Sequence, residues 1–203
     1  MKKNKKKFIN PFVQITRVIV GVLFIFSGFV KLVDPKGSQY KFEEYFSEGV
    51  LNIEFLIPYA LQFAIILIIL EVALGVALLV GYKSKFTLNS LKIIILFFLF
   101  LTWYSAYYNK VTDCGCFGDA IKLTPWQSFY KDVILTVLIF FLSKYSRYIK
   151  PIKETLLPGI IIFWAVLISV VIMYIALYHL PIIDFRAYKV GTDIKEGMKY
   201  KGD

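Results

Sequence analysis

The sequence has few charged residues, cysteines, prolines and glycines, and each shortage excludes a class of protein. Only 19% of the 203 residues are charged, whereas 58% are hydrophobic and the mean hydropathy is +0.66. Soluble domains carry about 25% charged and about 45–50% apolar residues, so an ordinary soluble domain is excluded. Two cysteines, seven prolines and twelve glycines exclude a disulfide scaffold, a disordered chain and a collagen-like repeat. The remaining class is an integral membrane protein.

Signature motifs of several enzyme classes are absent as well. The sequence contains no Walker loop, no G-x-G-x-x-G, no H-E-x-x-H and no G-x-S-x-G. These absences disfavour hydrolases and nucleotide-driven enzymes. The net charge of +10 is typical of proteins that bind nucleic acid. The positions of the charges, given below, exclude nucleic acid as the partner.

Five apolar stretches are long enough to cross a bilayer, which takes about 20 residues in a helix. They are Phe12–Val33, Ile57–Val80, Leu91–Tyr108, Pro125–Ser143 and Leu157–Leu180. The fourth is the least apolar because Lys131 and Asp132 interrupt it. Its start is well marked, since Thr124, Pro125 and Gln127 are typical of a helix that begins with a capping box. The sequence therefore predicts an all-α, polytopic membrane bundle.

The charges that flank the spans predict their orientation. With the N-terminus inside, the inner segments carry eleven Lys or Arg residues and one acidic residue. The outer segments then carry nine basic and eleven acidic residues. We therefore predict that the N-terminus lies inside and the C-terminus outside. The excess of basic residues is thus explained by the topology. The predicted partner of these residues is membrane lipid rather than nucleic acid.

The alternation of polar and apolar segments predicts four parts. Residues 1–11 form a basic cytoplasmic N-terminus, residues 12–145 a four-helix membrane domain, residues 157–180 a fifth transmembrane helix and residues 181–203 a periplasmic tail. The tail is too short for its own core and would be a strap or a connector. In the first outer loop, residues 34–37 predict a tight turn, followed by a short amphipathic helix. That helix would lie either on the outer leaflet or against the mouth of the bundle.

The only two cysteines, Cys114 and Cys116, form a C-x-C motif in a predicted outer loop. Disulfides persist on that side of the membrane, and Gly115 and Gly118 permit the backbone conformations of a tight ring. A disulfide across so small a ring adds little stability and is easily reduced. The motif therefore favours a reversible redox couple. The alternatives are a constrained turn without exchange activity and a Cu(I) or zinc site with His179 as a third ligand.

Charged residues inside the spans are functional candidates because a bilayer disfavours them strongly. Glu71 lies near the middle of the second span, and its depth below the inner end of that span predicts Arg17 as its partner. Such a pair would fix helix packing or, alternatively, serve a proton relay or a headgroup site. Lys31, Lys131 and Asp132 lie in the outer third of their spans. They would line a polar cavity or snorkel to the outer headgroups.

Several short motifs together resemble the DoxX-like membrane proteins, and especially the branch that includes the methylamine-utilisation protein MauE. The resemblance covers about residues 12–145 and is carried by Arg17…Gly21…Phe24…Ser27-Gly28…Lys31…Asp34-Pro35, by Glu71…Gly75…Leu79…Gly81, and by Cys114-Gly115-Cys116-Phe117-Gly118-Asp119…Trp126-Gln127-Ser128-Phe129. It implies a four-helix DoxX-like core, similar to vitamin K epoxide reductase-like bundles, to which this chain adds a fifth span and a tail.

The resemblance also has implications for function. MauE-like proteins are linked to maturation of a disulfide-rich periplasmic enzyme, and DoxX is named from a thiosulfate:quinone oxidoreductase subunit. The resemblance implies a bacterial cytoplasmic (inner) membrane protein with a periplasmic thioredoxin-like or disulfide-containing partner and a quinone as electron acceptor, although no cofactor is required by the sequence itself. The chain lacks the C-x-x-C and second cysteine pair of a vitamin K epoxide reductase-type relay. Two functions stay open: a thiol–disulfide oxidoreductase component, and a non-enzymatic scaffold or assembly factor for an exported protein.

Overall fold

A computed structural model describes residues 2–109, 111, 118, 120–121, 123–152, 156–179 and 183, with side chains from residue 9 onward. Within these ranges the chain is helical and contains no strand. The helices are α1 (Lys2–Val33), α2 (Pro35–Phe46), α3 (Ala60–Val80), α4 (Ser84–Tyr108), α5 (Pro125–Lys144) and α6 (Leu157–Tyr178). Short 3-10 helices, Glu54–Tyr59 and Ser146–Tyr148, precede α3 and follow α5.

Five helical segments in the described part of the chain are long and apolar enough to cross a membrane. They are Ile9–Val33, Glu54–Val80, Ser84–Tyr108, Pro125–Lys144 and Leu157–Tyr178. The predicted all-α membrane bundle with five spans is therefore confirmed, and most ends differ by three residues or fewer. The third span differs more and begins at Ser84 rather than Leu91, because its polar first two turns continue the helix beyond the apolar run.

The predicted start of α5 is confirmed in detail. The hydroxyl of Thr124 accepts a hydrogen bond from the backbone N–H of Gln127 at 3.3 Å. The Gln127 side-chain oxygen accepts one from the Thr124 N–H at 3.0 Å, which completes the capping box. Pro125 occupies the first turn, where a missing N–H removes no helical hydrogen bond.

The junction between α1 and α2 differs from the predicted tight turn. Asp34 alone separates the two helices, and its carboxylate accepts a hydrogen bond from the Gly37 N–H at 3.0 Å, so it caps α2. The helix α2 then buries Phe42, Tyr45 and Phe46 against α3. Of the two predicted locations for this helix, the structure shows the one against the bundle.

Glycines set the packing of α1 against α3. A Cβ atom on Gly75 would lie 2.8 Å from Ile25 Cγ1 and 2.9 Å from the carbonyl oxygen of Gly21. Further along, a Cβ atom on Gly28 would lie 2.6 Å from Val72 Cγ2. Small residues thus let the two backbones approach closely, as is common between membrane helices. Because residues later in α1 face residues earlier in α3, the two helices run antiparallel.

The helices α4 and α5 pack on each other and close the bundle around α1 and α3, whereas α6 lies outside it against α3 and α1. The bundle has two distinct ends. The first, called the basic end, carries Lys83, Lys85, Lys144, Arg147 and Lys150. The opposite end, called the α2 end, carries α2 and the first turn of α5. The candidate site described below lies near the α2 end.

Candidate functional site: buried ion pairs near the α2 end

The carboxylate of Glu71 is buried between α1 and α3 and is paired with Lys31. The Lys31 Nζ atom lies 2.7 Å from Glu71 Oε1, and the two residues are 8% and 2% exposed. Ser27, one turn before Lys31, donates to Glu71 Oε2 at 3.4 Å and accepts from Lys31 Nζ at 3.2 Å. The Lys31 ammonium also lies 4.6 Å from the ring centre of Phe98 on α4. The pair is therefore satisfied by both charge and hydrogen bonding, as a buried pair requires.

A second buried carboxylate, Asp132, lies on α5 and is 1% exposed. Its Oδ1 atom is 3.0 Å from Lys131 Nζ. Its Oδ2 atom accepts a hydrogen bond at 3.1 Å from the hydroxyl of Thr102 on α4. The interface of α4 and α5 thus has its own charged pair on α5, in which Asp132 is as deeply buried as Glu71 and Lys131 is partly exposed.

The two ion pairs border a small cavity in the centre of the bundle. Ser27, Glu71, Lys131 and Asp132 form its polar side, and apolar residues of α1, α4 and α5 form the rest. Its volume is about 20 Å³, which is room for one water molecule. Lys31 instead lines a neighbouring cavity of about 30 Å³ beneath α2. The three residues predicted to line one polar cavity therefore lie around two adjacent cavities.

Arg17 lies toward the basic end and does not pair with Glu71, so the predicted Arg17–Glu71 pair is wrong. The Arg17 Nε atom donates to the carbonyl of Leu78 at 2.8 Å, and Nη2 donates to that of Leu79 at 2.5 Å. The Nη1 atom donates to the carbonyl of Lys150 at 3.3 Å. The guanidinium caps the C-terminus of α3, where a cation is favoured by the exposed carbonyls.

The cap of α3 is complete. The last four carbonyls of a helix have no partner inside it. Gly81 follows the helix in a left-handed conformation, as helix-ending glycines commonly do. Its N–H donates to the carbonyl of Leu78, and the N–H of Tyr82 donates to that of Ala77. Arg17 donates to the carbonyl of Leu79 and shares that of Leu78 with Gly81. The N–H of Ile152 donates to the carbonyl of Val80 at 3.1 Å. Arg17 is therefore a structural residue.

The error in the predicted pairing came from the register of the two helices. The prediction placed the inner ends of the first two spans at one depth. In the structure Gly21 packs near Leu79, so the N-terminal part of α1, which begins at Lys2, extends past the end of α3 by about five turns. Glu71 directly precedes Val72 in α3, and Val72 faces Gly28 of α1. Lys31 lies one turn after Gly28 in α1.

Cys114 and Cys116 lie outside the described residues, so the structure describes neither their geometry nor their oxidation state. Two described residues flank them. Val111 is fully buried, and its carbonyl accepts a hydrogen bond from the Ser105 hydroxyl at 2.6 Å. Gly118 lies against Val30 of α1 with a φ of +50°. Both flanking residues lie at the α2 end, close in sequence to the elements that hold the ion pairs.

His179 lies at the C-terminal end of α6 and is exposed. Within the described ranges, no group of three or more His, Cys, Asp or Glu residues could hold a metal ion. The alternative metal site of Cys114, Cys116 and His179 depends on the two cysteines, which lie outside those ranges.

Three kinds of residue at this site were not predicted from the sequence. Thr102 holds Asp132 across the interface of α4 and α5, but a single threonine in an apolar run has no distinguishing pattern. Ser27 precedes Lys31 by one helical turn, a spacing at which side chains meet. The spacing of Gly21 and Gly28 in α1 and the presence of Gly75 in α3 could have indicated the register and hence the true partner of Glu71.

The fold and the buried site define a polytopic helical membrane protein with paired charges inside its bundle. Residues 9–145 match the family described as methylamine utilisation protein MauE, and the chain belongs to this family. The chain is also 30% identical over 143 residues to Protein TlpB of Flavobacterium psychrophilum. The match covers 63% of this chain and 36% of that protein, so the chain spans about a third of the length of this relative. No solved structure matches the chain.

Proposed function

We propose that this protein is a thiol–disulfide redox component of a bacterial cytoplasmic membrane. In this proposal Cys114 and Cys116 form a reversible disulfide on the outer side and exchange it with a thioredoxin-like or disulfide-containing protein of the periplasm. Membership of the MauE family and five membrane-spanning helices support a membrane location. The charge distribution supports the orientation, with eleven basic residues and one acidic residue in the inner segments.

The observation that carries the proposal is the position of the two ion pairs relative to Val111 and Gly118, the described residues that flank the cysteines in the sequence. The segment that contains the cysteines connects α4 to α5. The flanking residues pack at the α2 end, Val111 against Ser105 of α4. Gly118 packs there against Val30 of α1, the helix that holds Lys31. Charged groups next to thiols tune their reactivity. Buried carboxylates with room for a water molecule also provide a way to take up and release protons.

A thiolate of the partner attacks one sulfur of the Cys114–Cys116 disulfide, and a second partner thiol resolves the mixed disulfide. The partner becomes oxidised, and the two cysteines gain two electrons and two protons. When the cysteines are reoxidised, the two electrons and two protons pass to an acceptor. We propose that this acceptor is a lipid-soluble quinone, which becomes a quinol.

Trapping the thiol state in growing cells tests this proposal. Cells are quenched with acid, and free thiols are labelled with a maleimide of high mass before electrophoresis. The wild-type chain should be largely unlabelled and should gain two labels after treatment with a reductant. The Cys114→Ser variant, which keeps one thiol, is the matched control. It should carry a single label with or without the reductant.

A pair that stays reduced in growing cells contradicts the proposal. The same result favours the second candidate function, a non-enzymatic scaffold or maturation factor for an exported protein. That candidate is supported by α6, which lies beyond the matched family region and exposes most of its apolar surface.

A further inference from the structure

A polar cleft at the basic end lies far from the buried ion pairs. It is formed by the first turns of α4, by the end of α5 and by the 3-10 helix that follows α5, and its volume is about 230 Å³. Lys85, Asn89, Ser143 and Ser146 provide its polar side chains, and Leu88 its floor. The cleft combines an ammonium, an amide and two hydroxyls, all of which can donate hydrogen bonds.

The four polar side chains of this cleft are available to a ligand. Across the part of the chain that the structure describes, none of them forms a hydrogen bond or an ion pair with another residue. The described residues around the basic end include no acidic side chain, since Glu71 and Asp132 are buried and the other described carboxylates lie at the α2 end. A site of convergent donors with excess positive charge favours an anion.

The cleft continues along the bundle toward its apolar surface. Lys85, Asn89 and Lys92 recur on α4 at the spacing of one helical face. Opposite them on α5 are Ser143 and, one turn deeper, Phe140, whose ring centre lies 5.9 Å from Lys92 Nζ. Lys92 lies inside the membrane-spanning segment, and its long side chain can direct the ammonium toward the cleft.

Beyond Lys92 the same seam is apolar and open. Ile93, Leu96 and Val137 are 71%, 47% and 62% exposed. A ligand at this place would thus contact cationic and polar groups at one end and apolar side chains along the rest of its length. This is the chemistry of an amphiphile with an anionic headgroup.

We propose that the cleft binds the phosphate of an anionic phospholipid, with Lys85 and Lys92 contacting the phosphate oxygens. Asn89, Ser143 and Ser146 donate further hydrogen bonds to the headgroup. The acyl chains lie along the seam of α4 and α5. Basic pockets between membrane helices are known to bind such headgroups. The site is separate from the cysteines, so it stands or fails independently of the proposed redox function.

Native mass spectrometry in a neutral detergent tests the proposal, because no charged membrane surface is then present. The purified protein is titrated with phosphatidylglycerol and, separately, with phosphatidylcholine. We expect preferential binding of phosphatidylglycerol. Each lysine near an anionic headgroup contributes about fivefold in affinity, so Lys85→Gln with Lys92→Gln should weaken binding about 25-fold if the two contributions add.

The matched control removes two positive charges from the same end but outside the cleft, through Lys83→Gln with Lys150→Gln. It should bind phosphatidylglycerol like the wild type. Equal loss in the control, or no loss in the cleft variant, overturns the proposal. If the double cleft variant does not fold, the single Lys85→Gln variant should still show about a fivefold loss. A separate titration with inorganic phosphate distinguishes the source, because binding as tight as that of the lipid makes this a phosphate site and overturns the lipid assignment.

Discussion

Glu71 on α3 takes its counter-ion from Lys31, which lies 2.7 Å away and two residues before the end of α1. Arg17, which lies about four turns earlier in the same helix, instead caps α3 through its carbonyls. Lys31 and Arg17 thus have separate tasks at opposite ends of one helix pair. The α1–α3 unit is therefore held by charge near the α2 end, by glycine packing in the middle and by a helix cap toward the basic end.

The ion pair predicts a specific pattern in a double-mutant cycle. Removing one partner leaves a buried charge uncompensated, which costs about 3–5 kcal/mol. Glu71→Gln and Lys31→Gln should each lower the free energy of unfolding by about that amount, and the double variant should recover part of the loss. The measurement is thermal or denaturant unfolding in a detergent micelle. A double variant less stable than either single variant would contradict the pairing.

Arg17 should behave as an independent structural residue. Hydrogen bonds from a charged group contribute about 1.5–3 kcal/mol each, so Arg17→Gln should destabilise the bundle clearly. Arg17→Lys should recover little of the stability that Arg17→Gln loses, because an ammonium cannot reproduce the planar fork that reaches two successive carbonyls. The loss should add to that of Glu71→Gln, since sites without shared partners are additive within about 0.5 kcal/mol. Strong non-additivity in the unfolding free energy would reinstate an Arg17–Glu71 coupling.

The glycine contact between α1 and α3 predicts intolerance to a single methyl group. Gly75→Ala places a Cβ 2.9 Å from the Gly21 carbonyl oxygen, and a backbone atom there cannot rotate away. Overpacking of this kind costs about 1–3 kcal/mol, and it should also loosen the Lys31–Glu71 pair. The control is Gly159→Ala in α6, where no atom lies within 4 Å of the new Cβ. There the unfolding temperature should stay the same or rise slightly. Equal effects of the two substitutions would contradict the packing described.

Much of this fold could be predicted from the sequence, because long apolar runs and helix-start chemistry are local signals. The five spans and the capping box of Thr124 and Gln127 follow directly from such signals. The partner of Glu71 could not be predicted in the same way. It depends on how far α1 slides along α3, which is a tertiary property set by glycine contacts at Gly21, Gly28 and Gly75.

The location of α2 could not be predicted from local signals either. Its amphipathic pattern fits a lipid surface and a protein surface equally well. The structure places it on α3, where Phe42, Tyr45 and Phe46 belong to the same buried cluster as Ala60, Ala64 and Ile68. Periodicity identifies a buried face but not the surface that buries it.

The orientation can be tested with a reporter that is active only outside the cytoplasm. Alkaline phosphatase fused after Asp203 should be active, whereas the same reporter fused after Lys83, in a short basic loop, should be inactive. The reason is the excess of basic residues in the inner segments, eleven against one acidic residue. Activity after Lys83 and none after Asp203 would invert the topology and move Cys114 and Cys116 to the cytoplasmic side.

The proposed redox role makes its sharpest prediction when the cysteines are replaced. Cys114→Ser with Cys116→Ser should leave the unfolding temperature nearly unchanged, because a disulfide that closes so short a loop adds little stability. The same variant should abolish the oxidation of a periplasmic partner's thiols in cells, followed by trapping that partner's redox state. A matched control is Ser90→Ala, a similarly small change on α4 outside the cysteine segment, which should leave the partner oxidised. If the double serine variant supports normal oxidation of the partner, the thiols do not carry the function and the scaffold interpretation takes its place.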